Sequence, residues 1–245
     1  MIKWLETKVA TVIIEIAKHV LTREEVLAMF RELIELGTSK VKAMTAVLRT
    51  ASSVQAKVVP PVLAAYGEYV NRYNHMSISP AVMLRATEIA KILVGQQARY
   101  KAIEAATGVP WWFIGLLHYR EGNLKLNTYL GNGQSLYHKT TETPKGRGPF
   151  VTFEDGAIDA LEYGGFDKVK YWDLGRALYL AEKFNGRGYH DFHDMQSPYV
   201  WAGSNWYVKG KYDSDGHFNP NLVDMQLGAA VLLKAVSQLT PLDLK

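Results

Sequence analysis

The chain of 245 residues contains no cysteine. This excludes a disulfide framework and a thiol nucleophile, although it does not identify a cellular compartment. Its first apolar stretch, residues 9–17, is interrupted by Glu15 and is far shorter than the roughly 18 apolar residues that span a bilayer. No clean cleavage site for a signal peptide follows it. We therefore expect an amphipathic helix of a soluble protein, for which any target outside the cytoplasm requires separate delivery.

Glycine and aromatic residues are scarce in the first part of the chain. Residues 1–107 contain 3 of the 20 glycines and 6 of the 28 aromatic residues. The same region has 14 Lys and Arg against 9 Asp and Glu, whereas residues 108–245 have 14 against 15. The front is thus basic and helical in character, and the remainder is rich in loops and aromatic residues. Mild basicity suits a polyanion such as a cell wall, a membrane surface or a nucleic acid, without choosing among them.

Several helix boundaries are marked by capping residues. The signals predict helices from Thr22 to Gly37, over about 39–55, over 61–73, and over about 80–106 with Ser79 as cap and Gly108 as terminator. We predict a mainly α fold, in which residues 1–75 form a small N-terminal helical bundle and residues 76–245 form a second domain. The alternative for residues 1–75 is a role in binding a wall or disturbing a membrane.

A carboxylate stands at the end of an apolar helix in the stretch TGVPWWFIGLLHYREGN, residues 107–123. Pro110 suits the start of this helix and Gly122 its end. Burial and the negative end of the helix dipole would both raise the pKa of Glu121, as a general acid requires. The alternative is a structural glutamate paired with Arg120 or another cation.

The order of several segments resembles the lysozyme-like superfamily, in particular phage and bacterial peptidoglycan hydrolases related to the soluble lytic transglycosylases. The segments are RYKAIEAATGVPWWFIGLLHYREGN (99–123), LGNGQSL (130–136), GPFVTFEDGAIDAL (148–161), EKFNGRGY (182–189) and SPYVWAGSNWYVKGKYDSDG (197–216). The resemblance implies a lysozyme-like α-helical catalytic domain in which Glu121 is the catalytic acid. It further implies that Asn185 lines the glycan cleft and that Tyr189 lies close to the acid.

The chain departs from the family pattern after the acid. Glu121 is followed by Gly122 where lytic transglycosylases usually have serine, their Met-Gln stretch is absent, and Leu130 stands where phage-type lysozymes carry an aspartate. An inverting hydrolase needs a second carboxylate roughly 6.5–9.5 Å from the first. The candidates are Glu154, Asp155 and Asp159, the last of which we interpret as a capping or paired residue. Without a second acid, Glu121 would act as acid and then base, giving a 1,6-anhydro product.

The aromatic stretch near residue 200 suits a sugar site. Rings for stacking against pyranoses are offered by Tyr199, Trp201, Trp206 and Tyr207, and hydrogen bonds by Ser197 and Asn205. The alternative is that several of these rings belong to the core, and we expect about half of them to be structural.

Two metal-like patterns are interpreted without a metal. His190, Asp191, His193 and Asp194 lack a distant third ligand. The segment Asp213-Ser-Asp215-Gly216 begins like a calcium loop, but Asp224 occupies the position where that loop needs glutamate. We interpret this segment as a turn, and we expect no metal and no cofactor.

The resemblance implies a muramidase or lytic transglycosylase that acts on bacterial peptidoglycan, as in a phage endolysin. We expect a monomer that binds no nucleic acid and stays in the host cytoplasm until it is released to the wall, with transient membrane contact through the N-terminal helices. The alternatives are a chitinase-like hydrolase, a wall-binding or virion structural protein without activity, and a membrane-active protein.

Overall fold

The computed structural model describes residues 61–214 and 216–244. The helices predicted from Thr22 to Gly37 and over 39–55 lie outside the described residues, as does most of the region 1–75, so its boundary stays a prediction. The described residues from Leu63 onward belong to one compact unit.

Helices dominate the described residues, in agreement with the predicted mainly α class. The α-helices are α1 (Pro61–Asn74), α2 (Pro80–Gly95), α3 (Gln97–Thr107), α4 (Trp111–Gly122), α5 (Phe153–Tyr163), α6 (Leu174–Asn185), α7 (Gly188–His193), α8 (Pro198–Trp201) and α9 (Ala229–Leu239). A 3-10 turn covers Phe166–Lys168. The strands β1 (Lys211–Ser214) and β2 (His217–Asn219) form an antiparallel hairpin. Its turn contains Gly216 with φ of +75°, at the segment predicted to be a turn.

The predicted helix over 80–106 is interrupted. Ser79 caps α2 as expected, by accepting a hydrogen bond from the Val82 amide, and Gly108 ends α3 in the left-handed conformation. Between them the chain leaves helical geometry at Gln96, so α2 and α3 are separate helices. The prediction of one continuous helix was therefore wrong, although both of its outer ends were confirmed.

The core surrounds α4. Every residue from Trp111 to Tyr119 is buried, because α4 is apolar on all sides and packs against α3 and α9. Helix α9 also packs on α2, and α5 packs on α3. This packing fixes the C-terminal end of α4, where Glu121 lies.

Among the described residues, no helix has both the length and the apolarity needed to cross a membrane.

Candidate functional site

Glu121 lies in the last turn of α4, where the chain makes two close contacts that only glycine permits. A Cβ at Gly122 would overlap the hydroxyl oxygen of Thr128, and a Cβ at Gly133 would overlap the carbonyl oxygen of Glu121. Gly133 also has φ of +71°, which side-chain-bearing residues rarely adopt. The glycine that follows the acid, a departure from the family pattern, therefore has a local steric reason.

Glu121 is partly buried. Oε1 of its carboxyl group accepts a hydrogen bond of 2.8 Å from the hydroxyl of Tyr199. Burial raises the pKa of Glu121 from 4.5 to about 7, against the opposing effects of the Tyr199 hydrogen bond and the Arg120 charge. A carboxyl group in this state holds a proton near neutral pH and can donate it. The raised pKa agrees with the prediction from the sequence.

The structural alternative supposed that Glu121 pairs with Arg120, but Arg120 has other partners. Its Nη2 lies 2.7 Å from Oδ2 of Asp224, and its Nη1 donates to the carbonyl of Leu227 at 3.3 Å. Its guanidinium carbon lies 4.6 Å from the centroid of the Tyr199 ring. Among the residues that the structure describes, no salt bridge involves Glu121. Arg120, which is next to Glu121 in the sequence, thus forms its salt bridge with Asp224.

A cleft of about 400 Å³ opens beside Tyr199. The charged, aromatic and amide side chains that line it are Arg120, Asn185, Tyr189, Tyr199, Lys211, Tyr212, Asp213 and Asp224. Glu121 is not among the described residues that line the cleft, but Tyr199 lines it and contacts the Glu121 carboxyl group. Tyr199 therefore connects the cleft with the Glu121 carboxyl group.

Three of the six predicted substrate-binding residues meet at this cleft. Asn185 ends α6 with an exposed side chain. Tyr189 on α7 accepts a hydrogen bond of 3.1 Å from the Tyr212 amide, which ties α7 to the hairpin. Tyr199 is buried except for the part of it that lines the cleft. These residues come from three elements, so the cleft forms only in the folded protein.

The other three predicted residues are not among the described residues that line the cleft. Ser197 is fully buried at the start of α8. Trp201 is fully buried and stacks on Tyr69 with 6.2 Å between ring centroids, so it offers no face to a sugar. The Asn205 side chain accepts a hydrogen bond of 2.8 Å from the Ser77 amide.

The two further aromatic residues of this stretch also have internal hydrogen-bond partners. The Trp206 indole donates to the Arg72 carbonyl at 2.8 Å, and the Tyr207 hydroxyl donates to the Gly210 carbonyl at 3.2 Å. The ring-rich stretch is thus used largely to build the core.

The three candidates for a second carboxylate all have structural partners. Asp155 forms a capping box with Thr152 at the start of α5. Asp159 pairs with Arg147 and accepts a hydrogen bond of 2.8 Å from the Tyr129 hydroxyl. Glu154 pairs with Arg99. None of the three is among the described residues that line the cleft.

The carboxylates that do line the cleft are Asp213 and Asp224. Asp213 is hydrogen-bonded to His217 at 2.6 Å, which holds its pKa below the ordinary value. Burial opposes ionisation of Asp224, but Arg120 and Lys211 outweigh it and hold the pKa of Asp224 below its ordinary value. The sequence did not reveal the role of Asp224, because Arg120 is 104 residues away and no local pattern marks the pair.

His193, one of the residues with a metal-like spacing, packs its ring on Phe218 with 3.8 Å between centroids and contacts the Tyr212 hydroxyl at 2.9 Å. Within the described part of the chain, no group of three or more His, Cys, Asp and Glu residues is arranged to hold a metal ion.

Comparisons with known proteins add no relative. No protein-family model matches the chain, and no curated protein or solved structure matches it significantly.

Proposed function

We propose that the chain is a glycosidase of lysozyme-like fold that cleaves the glycan strands of peptidoglycan, with Glu121 as the general acid. The observation that carries this proposal is the environment of Glu121, where burial raises the pKa to about 7 and Tyr199 holds the carboxyl group at 2.8 Å. The order of the resembling segments supports the choice of substrate.

Protonated Glu121 would donate its proton to the oxygen of the bond between N-acetylmuramic acid and N-acetylglucosamine. The bond between that oxygen and the sugar carbon then breaks, and Glu121 is left as a carboxylate. That carboxylate then takes a proton from the attacking nucleophile, which is water in a hydrolase and the C6 hydroxyl group of the same sugar in a transglycosylase. A single residue with a pKa near neutrality suits both steps.

The polar lining of the cleft supports a sugar as the substrate. Its wall contains Asn185, whose side chain is exposed and can form hydrogen bonds to a sugar through its amide group. Lys211 adds a positive charge to the wall, which suits the carboxylates of muramic acid and of its peptides.

A phage endolysin that remains in the host cytoplasm until its release is the proposed biological setting. The basic front region, residues 1–75, would then provide transient contact with a membrane or wall.

The decisive experiment compares wild type with Glu121→Gln on purified peptidoglycan, with products identified by mass spectrometry. Glutamine keeps the shape of the side chain but cannot donate the proton, so we expect turnover to fall by about 100-fold or more with the fold intact. Anhydromuramic ends identify a transglycosylase and reducing muramic ends a hydrolase. Chitin is the control substrate, and faster turnover of chitin would identify a chitinase-like enzyme instead. Undiminished activity of the variant would refute the assignment of Glu121.

A further inference from the structure

Asp224 is a buried carboxylate whose role is not explained by the proton transfer itself. Its side chain is only 1% exposed, although the residue lies in the wall of the cleft. Oδ2 lies 2.7 Å from Nη2 of Arg120, while Oδ1 lies 3.1 Å from Nζ of Lys211 and accepts a hydrogen bond of 3.1 Å from the Gln226 amide. Two cations thus share one buried anion, and the cluster has a net charge of +1.

This cluster is linked to the acid through Tyr199. The Arg120 guanidinium lies over the Tyr199 ring at 4.6 Å, and the hydroxyl of that ring donates to Oε1 of Glu121. The Gln226 side chain, two residues after Asp224, donates to the carbonyl of Arg120 at 3.3 Å. The segment that begins at Asp224 therefore contacts both the end of α4 and the cation beneath Tyr199.

We propose that Asp224 is a positioning residue for the acid: it holds Arg120 against the Tyr199 ring and neutralises the positive charge adjacent to Glu121. This inference rests on the proposed function of Glu121. Asp224 itself donates no proton and attacks no bond, since both of its oxygens are occupied by cations and an amide.

The charge balance has a definite sign. A positive charge near a carboxyl group favours its ionised form, and Arg120 lowers the pKa of Glu121 in this way. Loss of the Asp224 charge would leave Arg120 and Lys211 uncompensated, so that Glu121 would lose its proton at a lower pH. The other titratable groups that face Asp224 and Arg120 are Tyr199 on α8, Tyr189 on α7, Asp213 and Tyr212 on the hairpin, and Tyr207, whose hydroxyl accepts a hydrogen bond of 2.9 Å from the Asp224 amide.

The test uses Asp224→Asn in the full chain. We expect the pH at which activity on peptidoglycan declines to shift downward by about one unit. The same shift is expected in the pKa of Glu121 itself, measured by NMR from the chemical shift of its carboxyl carbon. That signal is assigned by its disappearance in Glu121→Gln. This second readout does not depend on turnover.

Changes at Lys211 provide the matched variants. Asp224→Asn combined with Lys211→Met restores the net charge of +1, so we expect the decline in activity to return toward the wild-type pH. Lys211→Met alone removes one positive charge and is expected to shift the decline upward. Because Lys211 is half-exposed, this variant tests the charge balance even where Asp224→Asn destabilises the fold. Glu88→Gln, on the exposed surface of α2, is the control for loss of a distant charge.

An unchanged Glu121 pKa in both Asp224→Asn and Lys211→Met would overturn the proposal. A shift in Asp224→Asn that persists fully in the double variant would also overturn it, because the charge balance would then not be the cause. Failure of the proposed function is distinguishable, since it would appear as full activity of Glu121→Gln.

Discussion

The hydroxyl of Tyr199 donates a hydrogen bond of 2.8 Å to Oε1 of Glu121, which precedes it by 78 residues. A hydrogen bond of this kind stabilises the carboxylate, whereas burial stabilises the protonated acid. Burial has the larger effect here and brings the pKa to about 7. The balance between these two effects determines whether the group serves as an acid near neutral pH.

Tyr199→Phe removes the hydrogen bond that lowers the pKa of Glu121, while the burial that raises this pKa remains. We expect the pKa of Glu121 to rise by about half a unit to one unit, so that activity persists to higher pH. The maximal rate should fall, because the carboxyl group is no longer held in one orientation. The measurement is the pH profile of kcat/KM on peptidoglycan fragments.

Tyr189→Phe is the matched control for Tyr199→Phe. Tyr189 lines the same cleft, but its hydroxyl accepts from the Tyr212 amide and does not contact Glu121. We expect its pH profile to keep the wild-type position. A profile that moves in Tyr189→Phe and stays fixed in Tyr199→Phe would contradict the role assigned to Tyr199.

Glu121 should also make stability depend on pH. Between about pH 4.5 and 7 the folded protein keeps a proton that the unfolded chain has lost, so the free energy of unfolding falls as the pH rises through this window. Glu121→Gln removes this effect. The free energy of unfolding of wild type should therefore fall by about 3 kcal/mol more than that of Glu121→Gln when the pH is raised from below 4.5 to above 7.

Chemical denaturation at about pH 4 and about pH 8 measures this difference. Glu88→Gln, which removes an exposed carboxylate from α2, is the control. A Glu121→Gln variant whose stability relative to wild type is the same at both pH values would show that the Glu121 carboxyl group has an ordinary pKa.

Gly122→Ala tests the packing that follows the acid. The added Cβ would overlap the Thr128 hydroxyl oxygen, so we expect a loss of about 1–3 kcal/mol in stability together with lower activity. Thr128→Ala removes that oxygen, so the double variant should recover part of the loss. Gly67→Ala is the control: a Cβ there meets no atom within 4 Å, and the change should stabilise α1 by up to about 1 kcal/mol. A Gly122→Ala variant as stable as wild type would contradict the steric account.

The sequence predicted features that depend on local chemistry. Proline at the start of α2, the Ser79 cap and the left-handed Gly108 all act within one or two helical turns, and the structure has the helix ends where these residues place them. The apolar character of α4 likewise predicted its burial and the raised pKa of Glu121. The break at Gln96 follows Gly95, and glycine often ends a helix. This break was not predicted from the sequence because the apolar periodicity continues on both sides of Gly95.

The features that the sequence did not reveal depend on contacts between distant segments. Asp224 meets Arg120 across 104 residues, and the buried ring of Trp201 stacks on Tyr69 of α1. Residue types alone did not show whether an aromatic ring in the 197–207 stretch faces the cleft or the core. The packing of α8 against its neighbours determines which rings face the cleft. Tyr199 lines the cleft, whereas Trp201 is buried in the core.

Asp159→Asn tests whether Asp159 is a second catalytic carboxylate. Asp159 pairs with Arg147, whose guanidinium lies 5.1 Å from the Tyr163 ring centroid, and neither lies among the described residues that line the cleft. We therefore expect kcat to stay within about twofold of wild type, while stability falls by about 1 kcal/mol from the loss of a partly exposed ion pair. Arg147→Met breaks the same pair from the other side and should give a similar loss of stability with similar activity. A collapse of turnover in Asp159→Asn alone, with the fold intact, would show that its carboxylate takes part in the reaction.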